Sequence, residues 1–295
     1  ALPISARRVH IVQSALSTSI RALEEELGTP LFRRGARRVT LTPAGDVMLE
    51  RARRVIKDVR DTREAVASVD GLVTGRLSVC SGLIQCINPL IDVVDLLARF
   101  HAKYPSVVIE LRQLPTEPSF EELRSERAEI ALIGWPNPMP VGFAGSLIAR
   151  DRLAFICSTT NPLAGRKSIR PADLQSQTFV DLTRQWYTRR QIDDYCRTIK
   201  LHRHVSCEVN EIATLFDLVH AGIGVGITAR RPAMQYSRPL AVIDLAPAGP
   251  VIDYGAIVAI DRTTKTRRLS AAARAFLAMI EEPAAGKSPR GRDGR

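Results

Sequence analysis

The chain has 295 residues, 45% hydrophobic and 25% charged, enough for about two domains and ordinary for a folded globular protein. A disulfide miniprotein, a fibrous protein and a disordered chain are excluded. No stretch approaches the ~20 apolar residues of a membrane helix, and the formal net charge of +11 points to a polyanionic partner only if its placement agrees.

Residues 1–45 hold seven arginines against three glutamates. Arg7 and Arg8 stand where a secretory signal would need an apolar core, so the reading is cytoplasmic. Cys80, Cys86, Cys157, Cys196 and Cys207 lack CxxC spacing and read as reduced, small apolar fillers.

Over residues 13–26, Leu16, Ile20, Leu23 and Leu27 step by four, three and four, the stripe of an amphipathic helix. Gln13, Ser14, Ser17, Thr18 and Arg21 form a polar strip on another face. Such side chains reach base edges in the major groove, although a merely solvated face has the same composition. Glu24, Glu25 and Glu26 would repel phosphates at the C-terminal end, so the N-terminal end is the one to enter a groove, the polarity of a recognition helix. Residues 31–41 then give two β-prone runs around Gly35, with Arg33, Arg34, Arg37 and Arg38 near the tip. This predicts a hairpin wing suited to phosphates or the minor groove.

Thr42-Pro43 has the chemistry of an N-cap and first helical position. From 46 to 70, Met48, Ala52, Val55, Val59, Thr62, Val66 and Val69 make a heptad seam among charged residues. A second subunit is the simplest partner for it, and packing on the chain's own body is the alternative. Beyond Gly75 the pattern alternates strand (77–80), helix (through 96–100), strand (107–111), helix (120–127) and strand (130–134). A second series places strands at 153–157, 178–182, 205–209 and 224–227, with helices at 191–199 and 212–220, before a strand at 254–260 and a helix at 270–280. Alternation of this kind predicts a parallel α/β sheet. Residues 283–295, rich in Gly, Pro and basic residues, read as a disordered tail.

The string Val9-His10-Ile11, Gln13-Ser14-Ala15-Leu16-Ser17, Ile20-Arg21-Ala22-Leu23-Glu24, Leu27-Gly28, Pro30-Leu31-Phe32, Arg38 and Leu41-Thr42-Pro43-Ala44-Gly45 resembles the LysR-type transcriptional regulators. Phe100-His101-Ala102-Lys103-Tyr104-Pro105, Asn161-Pro162-Leu163-Ala164-Gly165 and Ala221-Gly222-Ile223-Gly224-Val225-Gly226 resemble the same family more loosely. The resemblance implies an α/β protein overall, with a winged helix-turn-helix at 1–43, a linker and dimerisation helix at 44–72 and a periplasmic-binding-protein-like effector domain at 73–282. Its first lobe is expected at 75–150 and 251–282, and its second at 151–250. Two departures stand out: the chain opens at Ala1 inside what resembles the second helix, so the family's first helix is expected to be missing, and Val12 stands where the family usually places Ser.

Ligands of open α/β sheets bind beyond the carboxyl ends of strands, here between the lobes. Ser81, Ile84 and Gln85 follow the first strand, and their hydroxyl, amide and backbone groups suit an anion. Trp135 follows the third strand and walls the cleft or packs in the core. Arg184 and Trp186 follow the strand ending near 182, where a guanidinium would grip a carboxylate or form a surface ion pair. No catalytic motif occurs, His202 and His204 lack further donors for a metal, and no cofactor is implied. The expected partners are double-stranded DNA at a pseudo-palindromic site, a small inducer, and further copies of the chain in a homodimer or homotetramer, with no membrane. The alternative is a cytoplasmic small-molecule binding protein with a non-functional head.

Overall fold

The structure, a computed structural model, describes residues 13–34, 39–67, 73–82, 92–261, 266 and 269–281. Val12, Arg37, Arg38, Val69, Ile84, Gln85, the tail, and the segment expected to lack a helix lie outside the described residues, as do the side chains of Gln13 and Arg34. The chain divides into two compact units, Ala1–Arg63 and Glu64–Arg295. Among the described residues no helix is long and apolar enough to cross a membrane.

In the first unit, α1 spans Gln13–Glu26. Leu16, Ile20 and Leu23 are half-buried, but Leu27 is 45% exposed, so the stripe stops one turn earlier than its period suggests. The cause is local: Gly28, at φ +64°, turns the chain while the N–H groups of Leu27, Gly28 and Thr29 return to the carbonyls of Leu23, Glu25 and Glu24. β1 (Phe32–Arg34) and β2 (Val39–Leu41) pair antiparallel, Phe32 opposite Leu41 and Arg34 opposite Val39. Glu24 joins helix to hairpin, its Oε1 accepting the N–H groups of Leu31 and Phe32 at 2.7 and 3.0 Å.

α2 spans Pro43–Ala67. Thr42 caps it in both directions, its Oγ1 accepting the Gly45 N–H at 3.0 Å and donating to the Pro30 carbonyl at 2.7 Å. Along the seam Met48 and Ala52 are half-buried, whereas Val55, Val59 and Val66 are 61, 52 and 68% exposed. Ile56, outside the seam, is 67% exposed, so the uncovered apolar surface is broader than the heptad alone.

In the second unit, β3 (Gly75–Ser81), β4 (Val107–Gln113) and β5 (Ile130–Gly134) run parallel around α3 (Val93–Lys103) and α4 (Thr116–Arg124). The chain continues through β6 (Phe143–Ser158), β7 (Ser168–Ile169), α5 (Pro171–Leu174), β8 (Thr178–Leu182), α6 (Tyr187–Thr198) and β9 (His204–Val209). It closes with α7 (Ile212–His220), β10 (Gly226–Ala229), α8 (Arg230–Met234), β11 (Leu240–Leu245), β12 (Val251–Ala259) and α9 (Ala271–Glu281).

Among the described residues the parallel pairing expected from alternation holds for β4-β3-β5, for the separate pair β8-β9 and for the short contact of β7 with β11. β12 lies antiparallel between β5 and β6, and β10 and β11 are antiparallel to β6. The reason is the length of β6: up to Arg152 it pairs with β12, and from Leu153 it takes β10 and β11, so one strand serves both lobes. Arg150 and Asp253 face each other where the two long strands cross, with Nε donating to Oδ1 at 2.6 Å. β7, α5, α8 and β11 escaped the sequence reading because segments of two to six residues complete too few periods to register.

α9 returns to the first lobe, where Phe276 meets Phe100 edge-on at 5.3 Å. Its start is held by buried Glu129, which accepts the Ser270 N–H and hydroxyl at 2.8 and 3.0 Å. Cys80, Cys157 and Cys196 are buried, and burial pushes each thiol up to about 11, which suits inert core fillers.

Candidate ligand cleft and nucleic-acid interface

The carboxyl ends of β3, β5, β8 and β10 converge between the lobes, as the strand-end rule for α/β sheets requires. An inner cavity of about 20 Å³ lies there, its wall including Gly82, Gly134, Leu182 and Thr228, which end or follow those strands. Three helices begin at the same place, bringing Thr116 of α4, Tyr187 and Thr188 of α6 and Ile212 of α7. None of these helices has a side-chain cap at its start: the N-cap positions are Pro115, Trp186 and Glu211. Orphan N–H groups at uncapped starts favour acceptors and negative charge. No described residue lining the inner cavity carries a formal charge at neutral pH. Thr228 is 1% exposed and its Oγ1 has no hydrogen-bond partner, an arrangement that costs about 1–3 kcal/mol unless something else satisfies it.

A second space of about 280 Å³ adjoins the first, sharing Gly82 and Trp186 and adding Ser81, Gln113, Asn210 and Glu211. Trp186 is anchored in the second lobe, its Nε1–H donating to the Asn210 carbonyl at 3.1 Å. α6 as a whole is set by a buried charge cluster. Arg189 donates to the Leu182 carbonyl at 2.6 Å, to Asp193 at 2.9 Å and to Glu208 at 2.9 Å, while Arg203 holds Asp181 at 2.8 Å. Burial pushes the Asp181 carboxyl above its usual range, although Arg203 and Arg189 oppose the shift.

Of the residues singled out from the sequence, Ser81 and Trp186 line the outer space and Trp186 both. Arg184 is exposed and lies on the flank of α6, in a depression it shares with Glu117, Arg190 and Arg197, not in the wall of either cleft space. Trp135 packs instead on Gly255, where an added Cβ would sit 2.8 Å from its Cζ3, and its N–H donates to the Asp253 carbonyl at 2.7 Å. The sequence reading missed Thr116, Tyr187, Thr188, Thr228 and Tyr254. Thr228 is within reach of the sequence: the apolar run predicts a strand at 224–227, whereas β10 ends at Ala229.

In the first unit, Ser14, Thr18 and Arg21 are exposed on α1 and Ser17 is half-buried. Thr18 Oγ1 donates to the Ser14 carbonyl at 3.0 Å, leaving its oxygen free to accept. Arg33 is exposed on β1. Among the described residues no group of three or more His, Cys, Asp or Glu is placed to hold a metal ion.

Residues 73–285 match the family described as "LysR substrate binding domain", and residues 5–46 match "Bacterial regulatory helix-turn-helix protein, lysR family". The HTH-type transcriptional regulator IlvY of Escherichia coli is 28% identical over 225 residues, 76% of this chain and 74% of that protein. A full-length OxyR variant from Pseudomonas aeruginosa has a TM-score of 0.69 at 19% identity, covering 96% of this chain and 90% of that one. Full-length CbnR, solved with its target DNA, has a TM-score of 0.67 at 18% identity over 95% and 93% of the two chains. At such identities the two structures establish a common fold. Since the substrate-binding family spans well over half of the 295 residues and the helix-turn-helix family accounts for the segment before it, this chain belongs to the LysR family.

Proposed function

We propose that this chain is a cytoplasmic, oligomeric transcriptional regulator that reads a pseudo-palindromic duplex site and is set by a small anionic metabolite. The observation that carries the DNA half is the exposed Ser14, Thr18 and Arg21 strip on a helix followed directly by an arginine-bearing hairpin. Gln13, Ser14, Ser17, Thr18 and Arg21 read bases, and Arg33, Arg34, Arg37 and Arg38 hold phosphates or the minor groove. CbnR, of the same fold, is solved on its target DNA, which supports this use of the head. Exposed Val55, Ile56, Val59 and Val66 support a second subunit along α2, because an uncovered apolar stripe of that length favours helix pairing. The domain division follows: 1–43 for the head, 44–72 for the linker, 73–282 for the sensor.

The test is a salt-dependent titration of full-length protein against its upstream intergenic DNA. Affinity falling steeply with salt is expected, and Arg21→Ala should weaken binding by about 1–3 kcal/mol with relaxed preference at one base pair. No affinity at low salt overturns the reading and leaves the alternative, a small-molecule binding protein whose head does not engage DNA.

For the ligand half, three uncapped helix starts around buried, unpartnered Thr228 support an anion held by neutral donors rather than by a guanidinium. Glu211 disfavours an anion in the outer space, so the negative group goes inward. Thr228→Val should raise the melting temperature of the ligand-free protein, because an unsatisfied buried hydroxyl is removed at nearly constant volume. A lower melting temperature would show that the hydroxyl is already satisfied.

A further inference from the structure

The inner cavity, at about 20 Å³, has room for roughly one water molecule, whereas small-molecule pockets run to about 300–1,000 Å³. What fills the difference is on α6. A Cβ built on Gly134 would lie 2.8 Å from both Cβ and Cγ of Tyr187, and one on Gly82 would lie 3.1 Å from Cζ3 of Trp186. Two consecutive aromatic side chains of the second lobe therefore rest on two glycines of the first, where any larger residue would hold them off. Trp186 is also the wall shared by the inner cavity and the 280 Å³ space beside it. Nearby, Arg190 on α6 and Glu117 on α4 form an ion pair across the lobes, both about half exposed, so it is screened by solvent and adds little hold.

We propose that Trp186 and Tyr187 form an internal plug that keeps the cleft shut in the free protein, so that an effector enters by competing with the chain's own rings. The inference rests on the cleft being the effector site and concerns how that site is regulated. Binding then begins with withdrawal of the rings from Gly82 and Gly134, which merges the two spaces into one of ligand size. The effector carries enough flat apolar area to replace the rings it displaces. The closed arrangement belongs to the unliganded state, and the signal is a rearrangement of α6 against the first lobe.

The experiment uses full-length protein without effector or DNA, in a Trp135→Phe background that leaves Trp186 as the remaining tryptophan, with acrylamide as quencher. Gly134→Ala should increase quenching of Trp186 and lower the melting temperature by several degrees. Adding Tyr187→Gly should recover part of that loss, since the new methyl then meets neither the ring nor the Cβ that lies 2.8 Å away, and the two effects are strongly non-additive. Additive losses, or unchanged quenching in a folded Gly134→Ala protein, overturn the plug. Should Gly134→Ala not fold, Tyr187→Ala alone decides: quenching of Trp186 rises if the rings seal the cleft together, and an unchanged value overturns it. Because neither DNA nor effector is present, a negative result here is separable from failure of the regulator reading.

Discussion

Arg189→Met is expected to lower the stability of the second unit by about 3–5 kcal/mol, the cost of breaking a buried ion pair from one side, and its melting temperature by roughly ten degrees. The side chain is 5% exposed, donates to the Leu182 carbonyl and two carboxylates, and stands 3.6 Å from Asp181, whose side chain is 1% exposed. Methionine fills the volume but leaves Asp181 with Arg203 as its nearby cation. The pH dependence has a definite sign. Burial already holds the Asp181 carboxyl above its usual value, and losing a cation pushes it higher. A carboxyl raised in the folded state favours folding at low pH, and that contribution disappears as pH rises through the folded value. The deficit of the variant should therefore shrink on acidification, and Asp181→Asn in the same background should recover part of it. Urea denaturation across pH checks both; a loss below about 1 kcal/mol would mean that the carboxylates relax to water.

Gly45→Ala should impair the first unit by about 1–3 kcal/mol, the range for overpacking. A Cβ there would run into the Leu31 carbonyl, with Leu41 Cδ2 at 3.0 Å. That carbonyl also accepts the Thr42 N–H at 3.0 Å, and Leu31 is 4% exposed, so the methyl drives the start of α2 away from the hairpin. On the proposed function DNA affinity falls by about fivefold to a hundredfold when that whole loss falls on the DNA-competent head, by the usual conversion of 1.4 kcal/mol per decade. Gly165→Ala, where an added Cβ meets nothing within 4 Å, is the control. A Gly45→Ala protein with unaltered DNA affinity and protease resistance would show that the junction yields without cost.

Helices α1 and α7 and strands β5 and β8 fall on the residues their periodicity marks, because each is long or apolar enough to bury one face by itself. The Thr42 cap was equally legible, being written in two adjacent residues. Leu27 shows the limit of period counting: a single residue at positive φ after the helix turned an expected core position outward. Glu24 shows another, since a carboxylate read only for its repulsion of phosphate ties helix to hairpin through two backbone N–H groups.

The amino-acid order by itself determined the family and the sequence of helix, hairpin and long helix, and it led to the expectation of a cleft at strand ends, because all of these rest on local spacing and short motifs. Only the tertiary structure decided that β6 serves both lobes, that Arg184 and Trp135 line neither cleft space, and that Thr228 is buried without a partner. Those outcomes depend on which distant strands pair and which side chains meet across the cleft. Gly134 and Tyr187 are far apart along the chain, and no local pattern records that one was left without a side chain to receive the ring of the other.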